Sequence, residues 1–211
     1  LLASGRIGEV TRVHLDLQWA APTSREAVGW RWDRETAGDG LLFDLGSHGL
    51  DLLDHWLGPI ESATGHATTR LPWSEVTDEV VGSFRFASGV LGTASWGFAG
   101  AYPRDSLTLF GSRGTLSVPV FADVATPAAL GGKSAPAPSD AAGQIEIVDA
   151  SGAVSRTYIE HPRHVHEPLV TSMVEELLGG AGRCPSTGES AQRTQVVLDA
   201  LLGSTPRNTA R

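Results

Sequence analysis

Two carboxylates and two imidazoles, Asp44, His48, Asp51 and His55, recur at intervals of four, three and four residues. At about 100° per residue they fall within a narrow arc of one helix face. Leu45, Leu52 and Trp56 fall on an adjacent face, with Leu53 beside them. One face can therefore pack while the neighbouring stripe presents alternating acid and imidazole. A carboxylate one turn from a histidine raises the basicity of the ring and fixes its orientation, which suits general acid–base chemistry near neutral pH. The same spacing also serves a solvated helix surface with i,i+4 pairing. A zinc or manganese site is a third reading. Against it, the helix lacks the two histidines flanking a glutamate of the familiar metalloprotease arrangement, so no metal is expected. Just upstream, Gly38 and Gly40 let the chain turn sharply and let a small ligand approach the backbone.

The stripe needs a helix over residues 41–57, which Gly58-Pro59 stops. Further helices are expected over 167–178 and 190–202, each followed by glycine. Residues 13–19 alternate: Val13, Leu15, Leu17 and Trp19 point one way, His14, Asp16 and Gln18 the other, as in a strand with one covered and one polar face. Three hairpins follow, within 78–98 about Ser88-Gly89, 107–118 about Gly111–Gly114, and 144–159 about Ala150-Ser151-Gly152. The stretch 121–143, rich in Ala, Pro, Gly and Ser, reads as a mobile loop inserted in the sheet. Grouped strands with helices toward the two ends predict an α+β domain, a largely antiparallel open sheet with helices covering one face. A second sheet face carrying Trp, Phe and Leu would be sticky, which predicts a homodimer or homotetramer through that face.

A net charge of -8 and the lack of any Lys/Arg block argue against nucleic acid or an anionic membrane as partner. No apolar run approaches the roughly 18 residues of a membrane span, and the single cysteine, Cys184, suits a reducing, cytoplasmic setting. Leu1 to Gly5 reads as the last turn of a helix closed by a glycine cap, so the chain is expected to continue upstream in a longer parent.

The pattern Gly-x-Gly-(x)3-Asp-x-Gly-x-His-x-x-Asp over residues 38–51, preceded by Trp30-Arg31-Trp32-Asp33, resembles the C-terminal domain of the Gfo/Idh/MocA oxidoreductases. The likeness continues through Gly5–Val10, a hairpin from Thr77 to Val90, Leu109–Leu116 and Pro185–Glu189, and so spans nearly the whole chain. It implies a glyceraldehyde-3-phosphate dehydrogenase-like C-terminal domain over 1–211, lacking the N-terminal Rossmann domain. It further implies NAD(P)-dependent hydride transfer on a sugar, inositol or related polyol. In that likeness Asp44 and His48 match the catalytic pair. His48 would accept the substrate hydroxyl proton, and Asp44 would bind the substrate and steer His48. The family's catalytic lysine, from a Glu-Lys-Pro motif, has no counterpart, because Lys133 is the one lysine and sits in the Ala/Pro-rich stretch.

NAD or NADP would come with the missing domain. The one near-match to a dinucleotide fingerprint, Gly38-Asp39-Gly40-Leu41-Leu42-Phe43, has Phe43 for its third glycine and no clear strand before it. The isolated chain is therefore expected to be inactive and to bind no cofactor. Trp30, Arg31, Gly38, Asp39, Gly40 and His164 are candidate substrate-binding residues, with Trp32 a further pocket wall. An aromatic ring stacks on a sugar and arginine donates to its hydroxyls, although packing explains the tryptophans equally. Asp39, which stands where the family has a small residue, either caps the following helix or charges the pocket. His161, His164 and His166 read chiefly as a solvated loop before a helix. No Gly-x-Ser-x-Gly elbow is present. The alternative function is a non-catalytic scaffold that keeps the sheet and has lost the chemistry.

Overall fold

Alternation of apolar and polar residues along the strands builds a sheet with one dry face and one wet face. The computed structural model describes residues 1–22, 24, 29–121, 144–159, 162, 164 and 166–203, so Lys133, His161 and nearly all of the Ala/Pro-rich stretch lie outside it. Eight strands form it: β1 (Val10–Ala20), β2 (Ile60–Thr68), β3 (Glu79–Phe86), β4 (Leu91–Gly100), β5 (Arg104–Gly111), β6 (Gly114–Val118), β7 (Gln144–Asp149) and β8 (Val154–Tyr158). Their order is β2-β3-β4-β1-β5-β6-β7-β8. β1 runs parallel to β4 and antiparallel to β5, and the other neighbours are antiparallel. The three expected hairpins are all present. β2 was not anticipated, because its buried positions, Gly65 and Ala67, are too small to print an apolar alternation.

The dry face carries Leu15, Leu17, Phe84, Trp96, Leu107 and Leu109, all buried in one continuous core. Two helices seal it. α2 (Ser47–Leu57) buries Leu50 and Leu53, and α4 (Gly188–Leu202) buries Val197, Leu198 and Leu201. The two helices are tied by Asp54, a buried carboxylate that accepts from Arg193 Nε at 3.1 Å and Nη2 at 2.6 Å. A short α1 (Arg34–Ala37) precedes them, and α3 (Glu167–Leu177) contributes no buried residue.

The open face differs from expectation. Most of the large apolar side chains, among them Leu15, Leu17, Phe84 and Trp96, lie on the covered side, while Phe110 on the open face sits under the Arg12 guanidinium, 4.0 Å from its ring centroid. In their place His14 Nδ1 meets Thr93 Oγ1 at 2.9 Å, Ser95 donates to Asp16 at 2.7 Å, and Arg104 pairs with Asp16 at 2.6 Å. Val81 and Leu91 are large apolar residues left exposed there. Among the described residues, no helix is long and apolar enough to cross a membrane.

Candidate active site

The helix expected over residues 41–57 is two pieces. Leu42–Gly46 winds as a π-helical turn and α2 begins at Ser47. A π turn is wider than an α turn and recurs at functional sites. Asp44 therefore stands at a different angle to His48 than a uniform helix would give it. Both side chains nevertheless reach the same cleft. Gly49 brings that helix close to the sheet: a Cβ there would lie 2.8 Å from Leu15 Cδ2. The glycine lets α2 settle on β1 and carries the adjacent His48 to the end of the strand.

The glycine loop has a packing role. Gly40 adopts φ +60°, and a Cβ would stand 2.4 Å from the carbonyl oxygen of Arg31. The loop is thus pressed against the 3-10 turn Trp30–Trp32. That contact brings Arg31 beside the π turn, where its Nε donates to Asp44 Oδ2. The guanidinium also lies over the Trp30 ring, 4.7 Å from its centroid. Arg31 and Asp44 remain 30% and 29% exposed, so the pair is accessible to a ligand.

A cleft of about 580 Å³ opens beside this pair. Asp44, His48, Asp51 and His55 all line it, joined by Arg31 and His166. Leu45, Leu52 and Leu169 supply an apolar wall, and Trp19 contributes from the end of β1. Trp19 is 5% exposed, and its indole N–H has no acceptor among the described residues. An indole N–H can only donate. The ring of Phe121 stands edge-on to His48, with centroids 5.9 Å apart and planes at 75°. The cleft thus combines a proton acceptor, a carboxylate held by a guanidinium, and apolar walls. Among the described residues, no group of three or more His, Cys, Asp or Glu is arranged to hold a metal.

The other expected substrate contacts do not line this cleft. Trp30 is 53% exposed, beside Arg31. Trp32 is buried, its ring 5.1 Å from that of Trp73, rather than walling the pocket. Gly38 and Gly40 shape the turn. The Asp39 carboxylate is buried, paired with Arg34 at 3.2 Å and accepting from Thr77 Oγ1 at 3.4 Å, so it does not cap the following helix. His164 accepts from the His166 N–H at 3.3 Å, and it is His166 that faces the cleft. The His-x-His spacing flagged both residues without telling which one turns inward. Trp19 was legible only as an inward strand position, and Phe121 only as the start of a loop.

A profile of the GFO/IDH/MocA C-terminal domain matches residues 1–117. The chain belongs to the Gfo/Idh/MocA family. The matched part holds β1, the glycine loop, the π turn and α2, hence Arg31, Asp44 and His48. Oxidoreductase P35 of Formosa agariphila is 24% identical over 207 residues, 97% of this chain and 57% of its own length. The 1,5-anhydro-D-fructose reductase of Ensifer adhaerens is 28% identical over 117 residues, 54% of this chain and 34% of its own. Among solved structures, levoglucosan dehydrogenase in complex with NADH and levoglucosan matches with TM-score 0.72 and 17% identity, covering 96% of this chain and 58% of that one. An NAD binding oxidoreductase from Klebsiella pneumoniae gives TM-score 0.67 and 19% identity, covering 95% and 58%. At these identities the structural matches speak for the Gfo/Idh/MocA C-terminal fold alone. The chain spans little more than half the length of Oxidoreductase P35 and of both solved proteins.

Proposed function

We propose that this chain is the substrate-binding and catalytic part of an NAD(P)-dependent oxidoreductase acting on a sugar, inositol or related polyol. The observation that carries the reading is the meeting of Asp44 and His48 in one cleft, with Asp44 held by Arg31. His48 accepts the proton of a substrate hydroxyl while hydride leaves the same carbon. Asp44 accepts a hydrogen bond from the substrate and orients it toward the imidazole. The Trp19 N–H, without an acceptor among the described residues, suits a sugar oxygen, and the two carboxylates, Asp44 and Asp51, favour a neutral ligand over an anionic one. The names of the relatives, an anhydrofructose reductase and a levoglucosan dehydrogenase, support a sugar-like substrate.

A nicotinamide cofactor supplies the hydride acceptor, and the residues of this chain do not fit its pyrophosphate. A dinucleotide loop offers free amides at a helix N-terminus. Here the amides of Gly38, Gly40 and Asp44 are spent on the carbonyls of Arg34, Ala37 and Gly40. The reading therefore assigns cofactor binding, and the family's lysine, to a nucleotide domain outside this chain. His48 is solvent-exposed here, and that domain would cover it. Pairing of two copies through the open sheet face, and a cytoplasmic location, complete the proposal.

Assay of the full-length parent against a panel of sugars and polyols with NAD+ and NADP+ is the direct test. Reduced nicotinamide should accumulate with at least one of them, and none with any would defeat the reading. Calorimetry of this chain alone should register no NAD(P) binding, and micromolar affinity would refute the separate nucleotide domain. Light scattering at micromolar concentration should give a dimer or tetramer rather than a monomer.

A further inference from the structure

We infer that Asp105 is a positioning residue for the proton-accepting imidazole, acting by fixing Phe121 edge-on against His48; the inference deepens the dehydrogenase reading. Asp105 is the second residue of β5, and both of its carboxylate oxygens are occupied by consecutive main-chain amides. Val120 N–H donates to Oδ1 at 2.9 Å and Phe121 N–H donates to Oδ2. Two neighbouring amides on one carboxylate fix the direction of the chain as it leaves β6, which ends at Val118. The direction they fix is into the cleft, since Val120 and Phe121 both line it. At its end the Phe121 ring meets the imidazole of His48.

The choice of aspartate follows from donor and acceptor counting. An ionised carboxylate can accept from both amides, whereas asparagine offers one acceptor oxygen and a competing NH2 donor. Burying a carboxylate is costly unless its oxygens are satisfied. Here the charge is met by two amides and by no cation among the described residues. A group serving only the core would have no need to aim at the lip of the site. By holding Phe121, Asp105 limits rotation of the His48 ring and keeps water from one side of it.

A double-mutant cycle tests this in the full-length protein, with Asp105→Asn, Phe121→Ala and the pair. Misplacing a reacting group by about 1 Å can cost on the order of 100-fold. Each single variant should accordingly lose about ten- to a hundred-fold in kcat, and the double variant should be no worse than Phe121→Ala. Independent, multiplying losses would overturn the inference. A second readout needs no turnover. In this chain the His48 ring-proton resonances, shifted by the Phe121 ring, should move to the same new position in both single variants. An unchanged His48 resonance in a folded Asp105→Asn protein would overturn it. Lack of activity in the parent would count against the dehydrogenase reading, and the resonances would still decide the role of Asp105.

Discussion

Arg31 and Asp44 approach from two different turns, and their contact engages one oxygen of the carboxylate. With Oδ2 taken by the guanidinium, the proposed reading has a substrate hydroxyl donate to Oδ1. If the proposed activity holds, Arg31→Gln should reduce kcat/KM of the full-length protein by roughly ten- to a hundred-fold, the scale expected when an orienting contact is lost. Its melting temperature should scarcely move, because a part-exposed ion pair contributes at most about 1 kcal/mol. Arg31→Lys should not restore activity, since a lysine is a point charge without the planar fork. Steady-state kinetics beside a thermal melt check both expectations. The Asp44/His48 spacing was legible because both side chains reach the cleft even through a π turn. The Arg31–Asp44 pair was not, because thirteen residues and a glycine-dependent packing contact separate the two.

The glycine loop is where element geometry controls the site. Replacing Gly40 by alanine would add a Cβ at φ +60° and drive it against the Arg31 carbonyl. The left-handed conformation alone costs roughly 1–2 kcal/mol for an L-residue, and the overlap adds to it. Gly40→Ala should therefore lower the urea midpoint and weaken activity together, unlike Arg31→Gln, which should affect activity alone. Chemical denaturation alongside kinetics separates the two. Other elements divide by how local their signals are. The hairpins could be read because glycine turns sit between alternating runs. β2 could not, because small inward residues suit a strand lying under α4 and leave no pattern. The parallel pairing of β1 with β4 was also hidden, since it joins residues about 80 positions apart, such as Leu15 and Ala94.

For the whole molecule, one buried and two partly buried acids shape the pH dependence of stability. Burial pushes the Asp78 carboxyl up, against the pull of the Leu71 and Arg70 amides that it accepts. Burial likewise raises Glu79, aided by neighbouring Asp78, and raises Asp105 against the Val120 and Phe121 amides. A raised carboxyl binds its proton more tightly folded than unfolded. Its contribution is full below the ordinary carboxylate pKa and is lost as pH rises through the folded value. The urea midpoint should thus rise as pH is lowered from neutral into the mildly acidic range, and less so in Asp105→Asn. Asp149 works the other way: hydrogen bonds from Ser151 and Ala153 hold it low, so its contribution is lost only in stronger acid. A midpoint that fell steadily from neutral pH would contradict this assignment. The overall α+β plan was readable from grouped strands and terminal helices, and the polar side of the sheet was readable at His14, Asp16 and Gln18 of β1; the expectation of a sticky open face failed because residues such as Leu15, Leu17 and Trp96 are the ones packed in the covered core. In the proposed reaction one imidazole, that of His48, receives the proton of the oxidised substrate. Its most direct test is kcat of full-length His48→Ala with a sugar or polyol that the parent oxidises. A loss on the order of 100- to 10,000-fold is predicted, and turnover equal to that of the parent would contradict it.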